Sequence, residues 1–396
     1  MGRALRDPAS SAASESDGGS GETHRLIPDP GRHGTAGRPL IPSRPRGRRP
    51  FAPVAALDLG TNNCRLLVAR PIQDGFRVID AFSRIVRLGE GLGQTGILSE
   101  AAMARTLSAL DVCMSKMVRR GVLRSRAVAT EACRRAANFD VFHECVESRF
   151  GLDLEVISPA EEARLALQGC APLLTPGRPY AVMFDIGGGS TEVLWLRTDI
   201  TCGHAWPMVC PQLIDSVSLP FGVVTLSEQH GGHAVTADAF DAMKARAAAA
   251  IAVLERRNDI SGLIEAGQVQ MLGSSGTVTT VAGIALDLPR YDRARVDGIY
   301  LDFVTARQVT QRLLETSYEG RCAFPCVGRQ RGDLVLAGCA ILEALLDQWP
   351  VGRLRIADRG VREGILVDLC DTPASGGDGD GPAPASFEAQ AVDQRP

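Results

Sequence analysis

The feature that most constrains this chain is a strand–turn–strand segment that occurs twice. Ala56-Leu-Asp-Leu-Gly-Thr61 and Met183-Phe-Asp-Ile-Gly-Gly-Gly-Ser-Thr191 each carry an apolar strand into Asp, one apolar residue, then Gly and hydroxyl residues. Apolar runs flank both turns: Val54–Leu59 with Leu66–Arg70, and Tyr180–Phe184 with Thr191–Leu196. The two Asp lie 127 positions apart, each at the start of one half, which predicts an internal duplication. Such a turn points backbone N–H groups outward, where they can bind phosphate oxygens, and an adjacent carboxylate can hold a divalent ion through water. One Asp-Gly turn alone joins strands in any protein. Two in matching places predict a phosphate clamped from both halves. Met271-Leu-Gly-Ser-Ser-Gly-Thr-Val-Thr-Thr280 adds a strand, a Gly/Ser loop and a helix start, whose free N–H groups and dipole favour an anion or a nucleotide.

At 396 residues and 45% apolar composition the chain can bury about two ordinary cores. Residues 1–50, with nine Arg against five acids, and residues 372–396, rich in Gly, Pro and Asp, show no apolar periodicity and are expected to be disordered tails. A Pro/Gly-rich break from Pro172 to Pro179 divides the body into an expected domain at 51–173 and a second at 174–371. Ser99 is expected to cap a helix running to about Arg120, and Pro159–Cys170 to form another. No run reaches the ~20 apolar residues of a membrane span and no signal-peptide core is present, so a cytoplasmic enzyme without membrane partners is expected. Eleven scattered cysteines without a CxxC pair read as reduced thiols. The net charge of −3 argues against a protein that grips nucleic acid through many phosphates. Lys116 and Lys244 are the only lysines and no GK[ST] occurs, so an anion must be held by Arg, backbone N–H or metal.

Five segments in order carry a family resemblance: Leu57-Asp-Leu-Gly-Thr-Asn-Asn-Cys-Arg-Leu66, Thr130-Glu-Ala-Cys-Arg-Arg-Ala-Ala-Asn138, Ile157-Ser-Pro-Ala-Glu-Glu-Ala-Arg-Leu165, Phe184-Asp-Ile-Gly-Gly-Gly-Ser-Thr-Glu192 and Gly273-Ser-Ser-Gly-Thr277. From about 54 to 371 the chain resembles the exopolyphosphatase/guanosine pentaphosphate phosphohydrolase (Ppx/GppA) family of the actin/Hsp70/sugar-kinase superfamily. Arg355-Ile-Ala-Asp-Arg-Gly-Val-Arg-Glu-Gly364 is similar to that family's closing segment. The resemblance implies an α/β fold of two actin-like (ribonuclease H-like) domains, each a mixed sheet flanked by helices, with an interdomain cleft. It also implies release of terminal phosphate from a linear phosphoanhydride. On that basis Glu162 activates the attacking water, while Asp185 and Glu192, assisted by Asp58, hold Mg²⁺ or Mn²⁺. Gly60, Thr61, Asn62 and Asn63, with Gly187, Gly188, Gly189, Ser190 and Thr191, form two phosphate cradles. Arg65 and Arg134 contact phosphate, and Gly273, Ser274, Ser275, Gly276 and Thr277 form a third anion loop. Glu161 reads as a plain helix N-terminal carboxylate.

Thr61-Asn62-Asn63 replaces the family's usual Ser-Asn-Ser, and Arg331-Gly332-Asp333 stands for its Arg-Ala-Asp ahead of a helix over Leu334–Leu346. Long members carry a helical extension after the closing segment, so the resemblance is to the short two-domain form. Gly91-Leu-Gly-Gln-Thr-Gly96 satisfies GxGxxG but follows the third expected strand, which makes it a loop near the cleft and not a dinucleotide site. The spacings of Cys322, Cys326, His143 and Cys145 predict no zinc site. The preferred partner is inorganic polyphosphate, with guanosine pentaphosphate the alternative. No specific nucleic acid is expected, and a homodimer is the one assembly considered. From other classes, a sugar kinase or nucleotide switch would need its own acceptor carboxylate, and an alarmone sensor would have no use for Glu162.

Overall fold

Runs buried on both faces become central strands. In Val54–Leu59 only Asp58, near the carboxyl end, keeps partial exposure, which suits a parallel sheet covered on both sides. A computed structural model describes residues 52–73, 75–200 and 210–371, so both expected tails lie outside the described residues. The first sheet comprises β1 (Val54–Leu59), β2 (Asn63–Ile72), β3 (Gly75–Ile85), β4 (Arg124–Ala129) and β5 (Leu154–Val156), in the order β3-β2-β1-β4-β5. The second comprises β6 (Tyr180–Ile186), β7 (Thr191–Arg197), β8 (Gln212–Leu219), β9 (Val269–Ser274), β10 (Tyr300–Asp302) and β11 (Arg353–Ala357), in the order β10-β11-β9-β6-β7-β8.

With β10 set aside, β8-β7-β6-β9-β11 repeats the first sheet strand for strand. In both, the opening three strands pair antiparallel and the next two join in parallel. The duplication read from the two Asp-Gly turns is therefore a duplication of the sheet, and the actin-like α/β class expected from the sequence is the one observed. Helices pack on both sheets. Ser99 caps the helix Glu100–Arg120 through a bond from Ala102 N, and Gly121 ends it at φ 65°. Ser158 caps Pro159–Cys170 in the same way, with Pro at the first turn. Among the described residues nine cysteines are free thiols, but Cys210 is disulfide-bonded, which corrects the reading of all eleven as reduced.

The last described helix, Val361–Asp371, packs on the helix Pro159–Cys170 and across β1. Leu165, Met183, Leu272 and Ile365 belong to one buried cluster drawn from both sheets. The two helices approach at backbone distance. A Cβ on Gly169 would lie 2.1 Å from Gly360 O, and one on Gly364 would lie 2.1 Å from Leu165 O. Charge pairs border this seam. Arg164 joins Asp368 at 2.6 Å and Glu161 at 2.7 Å. Its guanidinium, followed by that of Arg126, holds Glu161 down to about 2. The seam fixes the helix that carries Glu162.

Gly364→Ala is therefore expected to lower stability by about 1–3 kcal/mol in urea unfolding, as overpacking does. Gly276→Ala, where nothing lies within 4 Å, is expected to stay within about 0.5 kcal/mol. Equal effects from the two would contradict the close helix contact.

Candidate active site

The two turns match residue for residue. Asp58 faces Arg65 and Leu59 faces Cys64 across the first hairpin, while Asp185 faces Glu192 and Ile186 faces Thr191 across the second. Each turn closes with the same bond, Gly60 N to Asn63 O at 2.9 Å and Gly187 N to Ser190 O at 3.0 Å. One equivalent position differs in charge, Arg65 in the first hairpin and Glu192 in the second.

Each turn is held from behind by its carbonyls. Thr61 O accepts from Gly89 N at 2.9 Å, and Asn62 O accepts from Val86 N and Arg87 N at 2.9 and 3.0 Å. In the second turn Gly187 O and Gly188 O accept from Val223 N and Val224 N at 3.0 and 2.8 Å, at the start of the helix Val223–Gln229. In a trans peptide the N–H points opposite to the C=O. The amides of Asn62, Asn63, Gly188 and Gly189 thus face away from their supports, as an anion nest requires. The buried Asn62 Oδ1 and Asn63 Nδ2 have no partner.

The turns also meet. A Cβ on Gly188 would lie 3.0 Å from Thr61 Cβ and 3.2 Å from Asn62 N, and one on Gly189 would lie 2.6 Å from Thr61 Oγ1 and 2.9 Å from Glu131 Cγ. Only glycine allows this approach.

Four buried carboxylates, Asp58, Asp185, Glu192 and Glu162, lie near enough to act on one another electrostatically. Burial raises Asp58 and pushes Asp185 up to about 6 and Glu192 up to about 7. Glu162 stands well above the ordinary Glu range, first through burial and then through Glu192, with Arg134 pulling the other way. Arg134 was expected on phosphate, but its guanidinium is occupied by protein groups. It donates to Glu162 Oε2 at 2.8 Å, to Ile157 O at 2.8 Å and to Glu131 Oε2 at 3.0 and 3.2 Å. The arrangement makes it a support for Glu162. Arg65 does face the carboxylates, with Arg362 beside Asp58 and Arg331 beside Arg65, and burial disfavours the charged form of Arg331 and of Arg362. None of these three makes a side-chain hydrogen bond or ion pair among the described residues. Arg331, Arg362 and Glu131 lie in segments that stood out in the sequence, yet nothing in the pattern shows which guanidinium is left unpaired.

The third anion loop contracts. Gly273 lies inside β9, where a Cβ would meet the Phe184 ring at 2.7 Å, so its smallness serves packing. Ser274 Oγ donates to Arg359 O at 2.7 Å, Thr191 Oγ1 donates to Phe221 O at 3.1 Å, and Thr277 packs against Gly338. Ser275 Oγ caps the helix Gly276–Ala285 by accepting from Thr277 N at 3.2 Å, and of this loop only Gly276 borders open space.

Among the described residues no three His, Cys, Asp or Glu side chains gather closely enough to enclose a metal ion. Asp58, Asp185 and Glu192 are therefore not a ready-made cage. Raised, desolvated carboxylates, with the orphaned acceptor Asn62 Oδ1 in the first turn, still suit a hard cation that keeps most of its water, as Mg²⁺ does.

A family model described as the Ppx/GppA phosphatase family matches residues 67–372. The chain belongs to that family, and the family supports a phosphatase. Exopolyphosphatase 2 of Mycobacterium tuberculosis is 29% identical over 330 residues, covering 80% of this chain and 98% of that protein. The crystal structure of the Aquifex aeolicus family member is 29% identical with a TM-score of 0.63, covering 81% of this chain and 98% of that one. An exopolyphosphatase from Cytophaga hutchinsonii, 21% identical, shares the fold with a TM-score of 0.71 over 81% of this chain and 98% of its own. Among the described residues no helix is long and apolar enough to cross a membrane.

Gly189→Ala is expected to weaken tripolyphosphate binding at least tenfold in calorimetry, because its Cβ would force the turns apart. Unchanged affinity would show that the approach of the turns is not needed.

Proposed function

We propose that this protein is an exopolyphosphatase that removes terminal phosphate from linear inorganic polyphosphate, with Glu162 activating the attacking water. The observation that carries the reading is the pair of turns with forward amides, set against unpaired Arg65, Arg331 and Arg362. Anionic oxygens fit these donors, and a linear polyanion supplies many. The exopolyphosphatases among the relatives support this choice of substrate.

Glu162 Oε2 is held by Arg134, which leaves Oε1 without a partner among the described residues. In the proposed step a water oxygen attacks the terminal phosphorus, its proton passes to Glu162 Oε1, and the bridging P–O bond breaks with the electron pair leaving on the shortened chain. The turn amides and the three arginines stabilise the charge on the equatorial and leaving oxygens. A Mg²⁺ or Mn²⁺ ion held by Asp58, Asp185 and Glu192 through water would supply further neutralisation of the phosphate charge. No covalent intermediate is required. The nine free thiols among the described residues support a cytoplasmic setting, against which the Cys210 disulfide weighs.

A second reading, hydrolysis of the 5′-terminal phosphate of guanosine pentaphosphate, draws on the open space beside Gly276 at a helix start, where part of a nucleotide would be received. A pure alarmone sensor is disfavoured by the free Oε1 of Glu162.

Glu162→Gln is expected to bind polyphosphate normally while releasing phosphate at least ~10²-fold more slowly. Turnover near that of the wild type would remove Glu162 from this role. A pH profile gives a second check. A base whose pKa is raised remains protonated to higher pH, so the acid limb of kcat/KM should lie well above the usual Glu value. Because Arg134 lowers Glu162, Arg134→Gln should move that limb to still higher pH. A limb that stays in place or moves down would contradict the pairing.

A further inference from the structure

The supports behind the two turns are themselves joined. The first turn rests on residues 86–91 and the second on the helix Val223–Gln229. Arg87 forms a two-pronged ion pair with Asp333, both contacts 2.9 Å, and donates to Gln330 O at 3.1 Å. Asp333 O accepts from Ser227 Oγ at 2.8 Å, and Gly91 N donates to Glu228 Oε1 at 2.9 Å. With the contact of the turns these bonds close a ring: first turn, residues 86–91, Asp333, helix Val223–Gln229, second turn. Ring members line a cavity of about 270 Å³.

Two details indicate a built connection. The pair is partly buried, with side-chain exposures of 29% for Arg87 and 11% for Asp333, and its fork geometry restricts it to one arrangement. Arg87 also holds φ at 49°, in the left-handed region, where its N–H reaches Asn62 O. A side chain with a Cβ persists there only when its surroundings enforce it.

We propose that Arg87 and Asp333 are positioning residues that lock the two phosphate turns against each other, so that the clamp is complete only while their ion pair is made. The proposal rests on reading the turns as the phosphate clamp. Neither residue touches Glu162 or the buried carboxylates. Without the pair each turn keeps its own support, and only the Gly91–Glu228 bond and the contact of the turns are left to hold one against the other. Ligand then binds only the fraction of molecules that are closed, which weakens apparent affinity in proportion.

The test combines phosphate release from polyphosphate with amide hydrogen exchange in residues 60–63 and 187–190. Asp333→Asn is expected to raise KM at least tenfold, by more than it lowers kcat, and to speed exchange in both turns. The helix Glu100–Arg120 should exchange as in the wild type. Arg87→Lys keeps the charge but not the fork, and should fall between. Arg87→Asp combined with Asp333→Arg should lie closer to wild type than either single change. Unchanged KM and turn exchange, or faster exchange throughout the protein without rescue in the swapped pair, would overturn the proposal. If the wild type released no phosphate from any phosphoanhydride, the functional reading would fail, while exchange and its rescue would still decide the lock.

Discussion

Everything in the site depends on the bonds that hold the turns by their carbonyls. A glycine-rich turn is free to face either way. Gly89, Val86 and Arg87 behind one turn, and Val223 and Val224 behind the other, remove that freedom by engaging the oxygens. The amides then face the space between the turns because the peptide is planar and trans. Preorganised N–H groups are an economical means of meeting phosphate, since they need no rearrangement when charge develops.

The second constraint is electrostatic. Four carboxylates sit where burial disfavours their charge, close enough to raise one another. Arg134 offsets this for Glu162, to which it is bonded, and from farther off for Glu192, and it is itself braced by bonds to Glu131 and Ile157 O. Arg65, Arg331 and Arg362 provide cationic charge nearby without being paired to protein. An arrangement of this kind is poised for a ligand that brings both anionic oxygens and a cation. The helix Val361–Asp371 then ties the Glu162 helix to both sheets through Gly169 and Gly364, so the base is positioned by a seam made largely of backbone.

The duplication was legible in the sequence because a hairpin of fixed length leaves the same spacing around Asp58 and Asp185. Ser99 likewise marked its helix as the capping residue. What could not be read depended on distant partners. The direction of the amides is set by residues 86–89 and 223–224, far along the chain from at least one of the turns they make functional. Arg134 reads as a phosphate contact until Glu131 and Glu162 are seen around it. Gly273 looks like part of an anion loop, and only the Phe184 ring on the neighbouring strand shows that its space is already filled.

The central claim is that the paired turns and Glu162 release terminal phosphate from an inorganic chain. The most direct measurement compares phosphate release by the purified protein, with Mg²⁺, from long-chain polyphosphate, guanosine pentaphosphate and ATP at matched concentrations. The account predicts turnover of polyphosphate well above the other two. Preference for guanosine pentaphosphate, or release from none of the three, would contradict it.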